Sequence, residues 1–242
     1  MLLLEGHHVR VLALQINKEF VETRNHVIDT GGHSDATYCP VCPGLIISLY
    51  DIPNGVNTEI SRGCTAKCTF CEETHFWRYR QRSAVDLMGE VEWLYYNKGT
   101  SVVWFIDSLV NGNLNELRAF CKGVIAREMK IHWTGYARHD KRMDLEYYKD
   151  LANSGCLSLS YGIESGSNKV LADIDKGITV DEIEQNLRDG AVTGVEGFST
   201  WFVGFPTEEI QDLYESLMLI WRNRNTSLTH ISVGHFQVPP DT

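Results

Sequence analysis

The chain has 242 residues, 43% of them hydrophobic and 22% charged, which is typical of a soluble globular protein and not of a disordered one. Its formal net charge of −10 argues against nucleic acid as a partner, because surfaces that bind nucleic acid are basic. No apolar run approaches the roughly 18 residues of a membrane span, and the apolar residues 1–4 are too few for the core of a signal peptide. We therefore expect a cytoplasmic protein that does not engage a membrane.

The first 55 residues are the least regular part of the sequence, and we predict a poorly structured N-terminal segment and linker there. Cys39 and Cys42 form a C-x₂-C pair in this linker, which is half of a zinc ribbon. The second half is missing unless His26 or His33 completes it. We therefore expect the pair to hold no metal.

Three of the seven cysteines follow the first predicted strand, at residues 56–60. Cys64, Cys68 and Cys71 have the spacing C-x₃-C-x₂-C, which places three thiolates on one tight loop. A structural zinc site needs four protein ligands, and an ordinary iron–sulfur cube is held by four thiolates. Three local thiolates therefore leave either a fourth ligand elsewhere in the chain or one iron open to a small molecule.

This spacing, with Phe70 directly before the last cysteine, resembles the cluster motif of the radical S-adenosylmethionine (radical SAM) enzymes. The resemblance implies a [4Fe-4S] cluster on Cys64, Cys68 and Cys71, whose open iron binds the amino and carboxylate groups of SAM, with Phe70 near the adenine. It also implies reductive cleavage of SAM to a 5′-deoxyadenosyl radical and an electron donor such as flavodoxin or ferredoxin. The alternative is a zinc knuckle on the same three cysteines and His75, in a zinc-stabilised binding module without redox chemistry.

Beyond the cysteine loop, predicted helices and strands alternate. Further strands are expected at residues 101–107, 131–137, 156–163, 197–203 and 228–238. Helices are expected at residues 83–95, 113–124, 145–153, 167–175, 179–189 and 207–222. The last of these helices carries an apolar stripe that includes Ile210, Tyr214, Leu217 and Trp221. Alternation of this kind predicts parallel strands joined by right-handed crossovers, although a doubly wound open sheet has the same pattern.

Six strand–helix units that begin with a cysteine loop resemble the partial, open (β/α)6 TIM-like barrel of the radical SAM enzymes, with residues 56–242 as the core domain. The chain ends about where the sixth strand of that barrel ends, so the resemblance implies a truncated barrel. Residues 2–14 resemble a piece of the cobalamin-binding domain that often precedes such barrels. This resemblance is too weak to predict cobalamin binding, but it favours methyl or methylthio transfer to an unidentified substrate.

Polar side chains follow each predicted strand, and in parallel α/β folds the chemistry lies at the carboxyl ends of the strands. SAM presents an ammonium, a carboxylate and a ribose diol, which need an anion, a cation and hydrogen-bond acceptors. The strand ends offer Asp107, Arg138 and Glu164 for these groups in turn. The structural alternatives are a turn cap for Asp107, a salt bridge at the barrel rim for Arg138 and an N-cap partner for Glu164.

Two further segments resemble motifs of the family. Residues 162–167 are similar to the fourth-strand segment near the ribose and methionine of SAM, which adds Ser165 to the predicted SAM contacts. Residues 197–208, which end in Gly204-Phe-Pro-Thr-Glu208, are similar to the fifth-strand motif whose backbone borders adenine, which adds Gly204 and Glu208. The segment lacks the second glycine of the usual Gly-x-Pro-Gly-Glu. No residue is assigned a catalytic role.

Side-chain alternation along the fourth strand predicts where Glu164 points. Glu164 and Gly162 share the face toward the barrel interior, while Tyr161 and Ile163 share the face toward the helices. We expect the Glu164 carboxylate to face the cysteine sulfurs and to find its cationic or hydroxyl partner in SAM, because the sequence shows no cation beside it. The remaining cysteines after residue 100, Cys121 and Cys156, are expected to be buried as small hydrophobic residues.

Overall fold

The computed structural model describes residues 55–237, apart from the side chains of Thr74 and His75. The expectations for the N-terminal segment, including the cobalamin-domain remnant and the Cys39–Cys42 pair, lie outside the described residues. The division into a segment 1–55 and a core domain 56–242 therefore stays a prediction.

Six parallel strands form the central sheet, and their order in the sheet is their order in the chain. They are β1 (Gly55–Thr58), β4 (Val102–Phe105), β5 (His132–Ala137), β6 (Cys156–Glu164), β7 (Glu196–Val203) and β8 (Leu228–His235). A doubly wound sheet would reverse its strand order at a switch point, and this sheet does not. Within residues 55–237 no pairing joins β1 to β8, so the sheet is open and the expected partial TIM-like barrel is confirmed.

Two short strands outside this sheet flank the cysteine loop. β2 (Ser61–Arg62) pairs antiparallel with β3 (Arg80–Gln81), and helix α1 (Glu73–Phe76) lies between them in the chain. The sequence did not predict these elements, because segments of two to four residues are too short to show a hydrophobic period. Their pairing brings the two ends of the loop together.

Longer helices connect the strands of the sheet. They are α2 (Ala84–Lys98), α3 (Leu114–Ala126), α4 (Leu145–Asn153), α5 (Asn168–Asp173), α6 (Val180–Thr193) and α7 (Ile210–Arg222). Ser83 and Asn113 accept hydrogen bonds from first-turn amides of α2 and α3, and Thr179 and Glu182 form the reciprocal capping box expected from their spacing. No helix in this part of the chain is both long enough and apolar enough to cross a membrane.

The core lies between the sheet and these helices. Tyr161 and Ile163 of β6 are buried, and the Tyr161 hydroxyl is 2.9 Å from the hydroxyl of Tyr148 on α4, so this face of β6 packs on the helices as predicted. Cys121 and Cys156 are also buried, which confirms the expectation for them. The opposite face of β6 is therefore the one that carries Gly162 and Glu164.

The apolar stripe of helix α7 is largely exposed. Its exposed residues include Ile210, Tyr214, Leu217 and Trp221. The residues that it buries are Asp212, Ser216 and Leu219. The physical reason is that α7 fastens the turn after β6, where the amide of Gly166 donates to Oγ of Ser216 at 2.8 Å.

Candidate cofactor site

The cysteine loop begins at a glycine that no other residue could replace without strain. Gly63 has φ +81°, and a Cβ at this position would lie 3.1 Å from the carbonyl oxygen of Trp77. Gly63 therefore turns the chain from β2 into Cys64 while the segment around Trp77 packs against it.

The three thiols of the loop are neighbours. Cys68 is buried, Cys64 and Cys71 are half-buried, and all three are free thiols. The amide of Cys71 donates to the carbonyl of Cys68 at 3.1 Å, which forms a tight turn between them. Burial raises the pKa of the Cys71 thiol, and the charges of Cys68 and Cys64 raise it further, as expected where thiolates lie close together.

Among the side chains that the structure describes, no three His, Cys, Asp or Glu residues form a group that could hold a metal ion. A structural zinc ion needs four ligands converging on one point, whereas the irons of a cube lie at separate corners, so its thiolates can stand further apart. The zinc knuckle stays the alternative to a cluster, and its fourth ligand, the His75 side chain, lies outside the described part.

Arg138, at the end of β5, reaches the cysteine loop. Its Nη1 donates to Sγ of Cys68 at 3.2 Å, and its Nη2 donates to the carbonyl oxygen of Lys176. Asn111 holds the backbone of Arg138 from both sides, accepting from its amide at 3.0 Å and donating to its carbonyl at 2.7 Å. The guanidinium therefore lies beside a thiol, and no ion pair of the described residues makes it a rim salt bridge.

Glu164 points to the Gly162 face of β6, as predicted, but its partner differs from the expected one. Lys176 Nζ lies 2.9 Å from Glu164 Oε1, and the two side chains are 5% and 13% exposed. A Cβ at Gly162 would overlap Glu164 Oε1 and lie 3.1 Å from Lys176 Nζ, so the glycine makes room for the pair. The chain itself thus supplies the cation that was expected from SAM.

Phe70 packs the cysteine loop against the carboxyl ends of β7 and β8. Its ring packs edge-on against Phe202 at 5.3 Å and Phe236 at 6.4 Å between centroids, at the ends of β7 and β8. Lys176 Nζ lies 5.9 Å from the Phe70 ring centroid, within the range of a cation–π contact. Lys176 therefore contacts Glu164 and Phe70 with its ammonium and Arg138 with its carbonyl.

Asp107 has partners other than the expected ammonium. Its Oδ1 accepts from the amide of Ile60 at 2.9 Å and from the amide of Ser61, and Oδ2 accepts from Ile60 at 3.2 Å. The residue is 2% exposed. Burial raises the pKa of its carboxyl to about 6, although the two amides act in the opposite direction. Asp107 holds the strand end that leads into the cysteine loop.

Ser165, Gly204 and Glu208, the other three residues predicted to contact SAM, form hydrogen bonds in the turns that follow β6 and β7. Ser165 is fully buried, with its hydroxyl 3.3 Å from Oγ of Ser216 on α7, which is not the expected approach to SAM. Gly204 has φ +89°, and its amide donates to Oε2 of Glu208 at 2.6 Å. Oε1 of Glu208 is buried without a hydrogen-bond partner among the described atoms. Gly204 and Glu208 therefore shape the turn that follows β7.

A cavity of about 350 Å³ lies beside the loop, within the size range of small-molecule sites. Its lining includes Thr65, Ala66, Asn111, Arg138, Lys141 and Gly177. The cysteine loop and the ends of β4 and β5 thus border a space next to the Arg138–Cys68 contact.

The structure brings Phe70, Arg138 and Glu164 together around the cysteine loop through Lys176, a residue that was not predicted from the sequence. The only signal for Lys176 was its place before Gly177, just after a short predicted helix, and such a position is too common to mark a site.

Comparison with known proteins gives a family match. Residues 58–220 match the radical SAM superfamily. The cytidylyl-2-hydroxyethylphosphonate methyltransferase of Streptomyces wedmorensis is 29% identical over 169 residues, which are 66% of this chain and 31% of that protein. The anaerobic magnesium-protoporphyrin IX monomethyl ester cyclase of Cereibacter sphaeroides is 28% identical over 176 residues, 70% of this chain and 29% of that one. The chain spans about a third of the length of these curated relatives.

Solved structures show the same fold. The radical S-adenosylmethionine methyltransferase TsrM from Kitasatospora setae, with tryptophan and a SAM analogue bound, superposes with a TM-score of 0.65 at 17% identity, over 78% of this chain and 37% of that one. TsrM with cobalamin and a [4Fe-4S] cluster bound gives 0.63 at 18% identity, over 75% and 34%. At these identities the likeness is one of fold.

Proposed function

The chain belongs to the radical SAM superfamily, and we propose that Cys64, Cys68 and Cys71 hold the [4Fe-4S] cluster of a radical SAM enzyme. The observation that carries the assignment is the position of the three neighbouring thiols over the carboxyl ends of an open parallel sheet, with Arg138 donating to Cys68 at 3.2 Å. When bound, the cluster and SAM supply radical chemistry by one-electron cleavage of the sulfonium bond. The residues of the chain bind, orient and shield these groups.

We assign the methionine end of SAM to the Glu164–Lys176 pair. The amino-acid part of SAM is a zwitterion, and a carboxylate 2.9 Å from an ammonium offers the complementary charges side by side. Lys176 engages Oε1 of Glu164, so Oε2 is the oxygen offered to the ammonium or a ribose hydroxyl of SAM. Arg138 supplies a second cation for the SAM carboxylate.

The adenine end of SAM is assigned to the aromatic side of the cysteine loop. Phe70 packs against Phe202 and Phe236, which fixes its ring at the ends of β7 and β8. The turn at Gly204 and Glu208 follows β7 directly and places backbone groups on the same side. A flat base next to these rings is held by stacking and by contact with this backbone.

The curated relatives are about three times as long as the part of them that this chain matches, so the substrate can be proposed only from their names. The names of the relatives and of TsrM support methyl transfer or a related modification, and methylthio transfer remains part of this proposal. No residue between 55 and 237 is assigned to cobalamin. We place the protein in the cytoplasm with a flavodoxin or ferredoxin as electron donor, because free thiols at a cluster site need a reducing compartment.

Anaerobic reconstitution with iron and sulfide tests the proposal. The wild-type protein is expected to bind four irons and four sulfides, to turn brown, and to show an electron paramagnetic resonance (EPR) signal after reduction with dithionite. With SAM and dithionite it should then release 5′-deoxyadenosine. A colourless protein with one tightly bound zinc and no sulfide would instead support the zinc-stabilised binding module.

A further inference from the structure

The strand end that leads into the cysteine loop is fastened to the segment after β4. The Asp107 carboxylate accepts from the amides of Ile60 and Ser61, and the Ser61 hydroxyl donates to the carbonyl of Leu109 at 2.7 Å. We call these four residues, Ile60, Ser61, Asp107 and Leu109, the entrance clamp. They join residues that are 46 to 48 positions apart in the sequence.

We infer that Asp107 is a positioning residue for the cluster thiolates, acting through the entrance clamp, and is not a contact of SAM. The inference rests on the proposed function, since it concerns how the chain holds the cluster. It replaces the ammonium-binding role that the position of Asp107 at a strand end suggested.

The burial of Asp107 supports this role. A carboxylate that receives the ammonium of SAM needs an oxygen exposed to the ligand, whereas Asp107 is 2% exposed. Both of its oxygens accept from the amide of Ile60, at 2.9 and 3.2 Å. A buried charge is costly unless it is hydrogen-bonded, and here backbone amides of the clamp provide the hydrogen bonds. The carboxylate is thus committed to the backbone before Cys64.

The two residues between the entrance clamp and Cys64, Arg62 and Gly63, are both held in place by contacts. Arg62 pairs with Arg80 in the β2–β3 sheet, and Gly63 at φ +81° is packed against the backbone of Trp77. A shift of Ser61 is therefore passed on to Cys64, only three residues later.

The far end of the loop is held independently of the clamp. The amide of Thr69 donates to the carbonyl of Ile174 at 2.9 Å, and Arg138 donates to Cys68 at 3.2 Å. Loss of Asp107 should thus displace Cys64 relative to Cys68, which changes the spacing of the thiolates without removing one.

Two substitutions separate positioning from SAM contact. In Asp107→Asn the side-chain oxygen still accepts from the clamp amides, but the negative charge is gone. In Asp107→Ala both the acceptor and the charge are gone. The matched control is Asp189→Ala, because Asp189 is also buried and hydrogen-bonded, to Gln185 on α6.

The measurements are iron and sulfide per chain after anaerobic reconstitution in the presence of a competing chelator, the EPR spectrum of the reduced cluster, and the dissociation constant of SAM. Asp107→Ala is expected to weaken iron retention about tenfold or more, as for other residues that orient metal ligands, and to alter the EPR spectrum. Asp107→Asn is expected to restore iron, spectrum and SAM affinity to wild-type values, and Asp189→Ala to change none of them.

Other outcomes overturn the inference. If Asp107→Asn keeps its iron but binds SAM about tenfold more weakly, the charge contacts SAM and the ammonium role is correct. If Asp107→Ala keeps its iron and its spectrum, the clamp is not needed. Should Asp107→Ala fail to fold, Ser61→Ala, which removes the hydrogen bond to Leu109, replaces it: lower iron retention supports the inference, and wild-type retention overturns it. A wild-type protein that takes up no cluster contradicts the proposed function itself.

Discussion

Lys176 Nζ lies 2.9 Å from Glu164 Oε1, and both side chains are almost fully buried at the carboxyl end of β6. The two residues are 12 positions apart in the chain. Glu164 has φ +71°, an uncommon backbone conformation for a residue with a side chain. Uncommon conformations of this kind concentrate at ligand sites, where the surrounding structure enforces them.

We predict that both members of this pair are needed for SAM binding and that neither is needed for the cluster. A hydrogen bond to a charged group contributes about 1.5–3 kcal/mol, so Glu164→Ala or Lys176→Met should each weaken SAM binding about tenfold or more. Isothermal titration of the reconstituted protein with SAM measures this change, and iron analysis checks that the cluster is retained.

Lys149→Met is the matched control for Lys176→Met. Lys149 also forms an ion pair, with Glu146 at 2.6 Å, but on the exposed surface of α4. The Lys149→Met substitution should leave the affinity for SAM unchanged. Unchanged affinity in Glu164→Ala as well would refute the assignment of the pair.

The second prediction concerns the cysteines. Replacement of Cys64, Cys68 or Cys71 by Ala should remove most of the iron and sulfide, because a cube held by two protein thiolates is poorly retained. Cys121→Ala and Cys156→Ala serve as controls, since both residues are buried away from the loop and should keep the wild-type iron content. Loss of the cluster in either control would count against the three-cysteine assignment.

The third prediction concerns the hydrogen bond from Arg138 to Cys68. Hydrogen bonds to cluster sulfurs raise the reduction potential, because the reduced cluster carries more negative charge. Arg138→Met should therefore lower the potential by on the order of tens of millivolts while iron is retained. A redox titration followed by EPR measures the potential.

Arg118→Met provides the comparison for this experiment. Arg118 pairs with Asp150, with Nε and Oδ2 2.5 Å apart, between helices α3 and α4. Its removal should leave the potential at the wild-type value. If Arg138→Met also leaves it there, Arg138 does not donate to the cluster sulfur in the loaded protein.

The fold could be predicted from the sequence because each element has its own local signal. The apolar strands, the cap at Asn113 and the capping box at Thr179 are short-range patterns, and together they gave the alternation of the parallel sheet. Helix α7 was placed correctly, but its sequence pattern does not show which of its faces is buried. The helix packs on the turn after β6 through Asp212 and Ser216, and that packing depends on tertiary contacts that its own hydrophobic pattern does not encode.

The site could be predicted only in part, because several of its contacts depend on tertiary structure. The cysteine spacing is local and marked the loop directly. Lys176 reaches Glu164 because of the φ +71° at Glu164 and the turn after α5, and neither is visible in the sequence. For Asp107 the strand-end position indicated where the residue lies, but the direction of its carboxylate depends on the path of Ile60 and Ser61.

The last prediction follows from the raised pKa of Asp107. A carboxyl whose pKa rises from 3.8 to about 6 on folding keeps its proton in the folded state over a range where the unfolded chain has released it. The folded state then binds more protons than the unfolded state, so this group's contribution to stability is largest below about pH 4 and falls as the pH rises to about 6. The difference corresponds to on the order of 3 kcal/mol.

Asp107→Asn removes this titration and keeps an oxygen that accepts from Ile60 and Ser61. Relative to this variant, the free energy of unfolding of the wild-type protein should decrease between pH 4 and pH 6 and stay constant above, so that the variant gains stability at neutral pH. Urea unfolding of the cluster-free protein at several pH values, followed by circular dichroism, measures the difference. The comparison with Asn cancels the titration of all other carboxylates, because both proteins share them. Parallel pH profiles for the two proteins would mean that the clamp amides stabilise the charged carboxylate as well as water does.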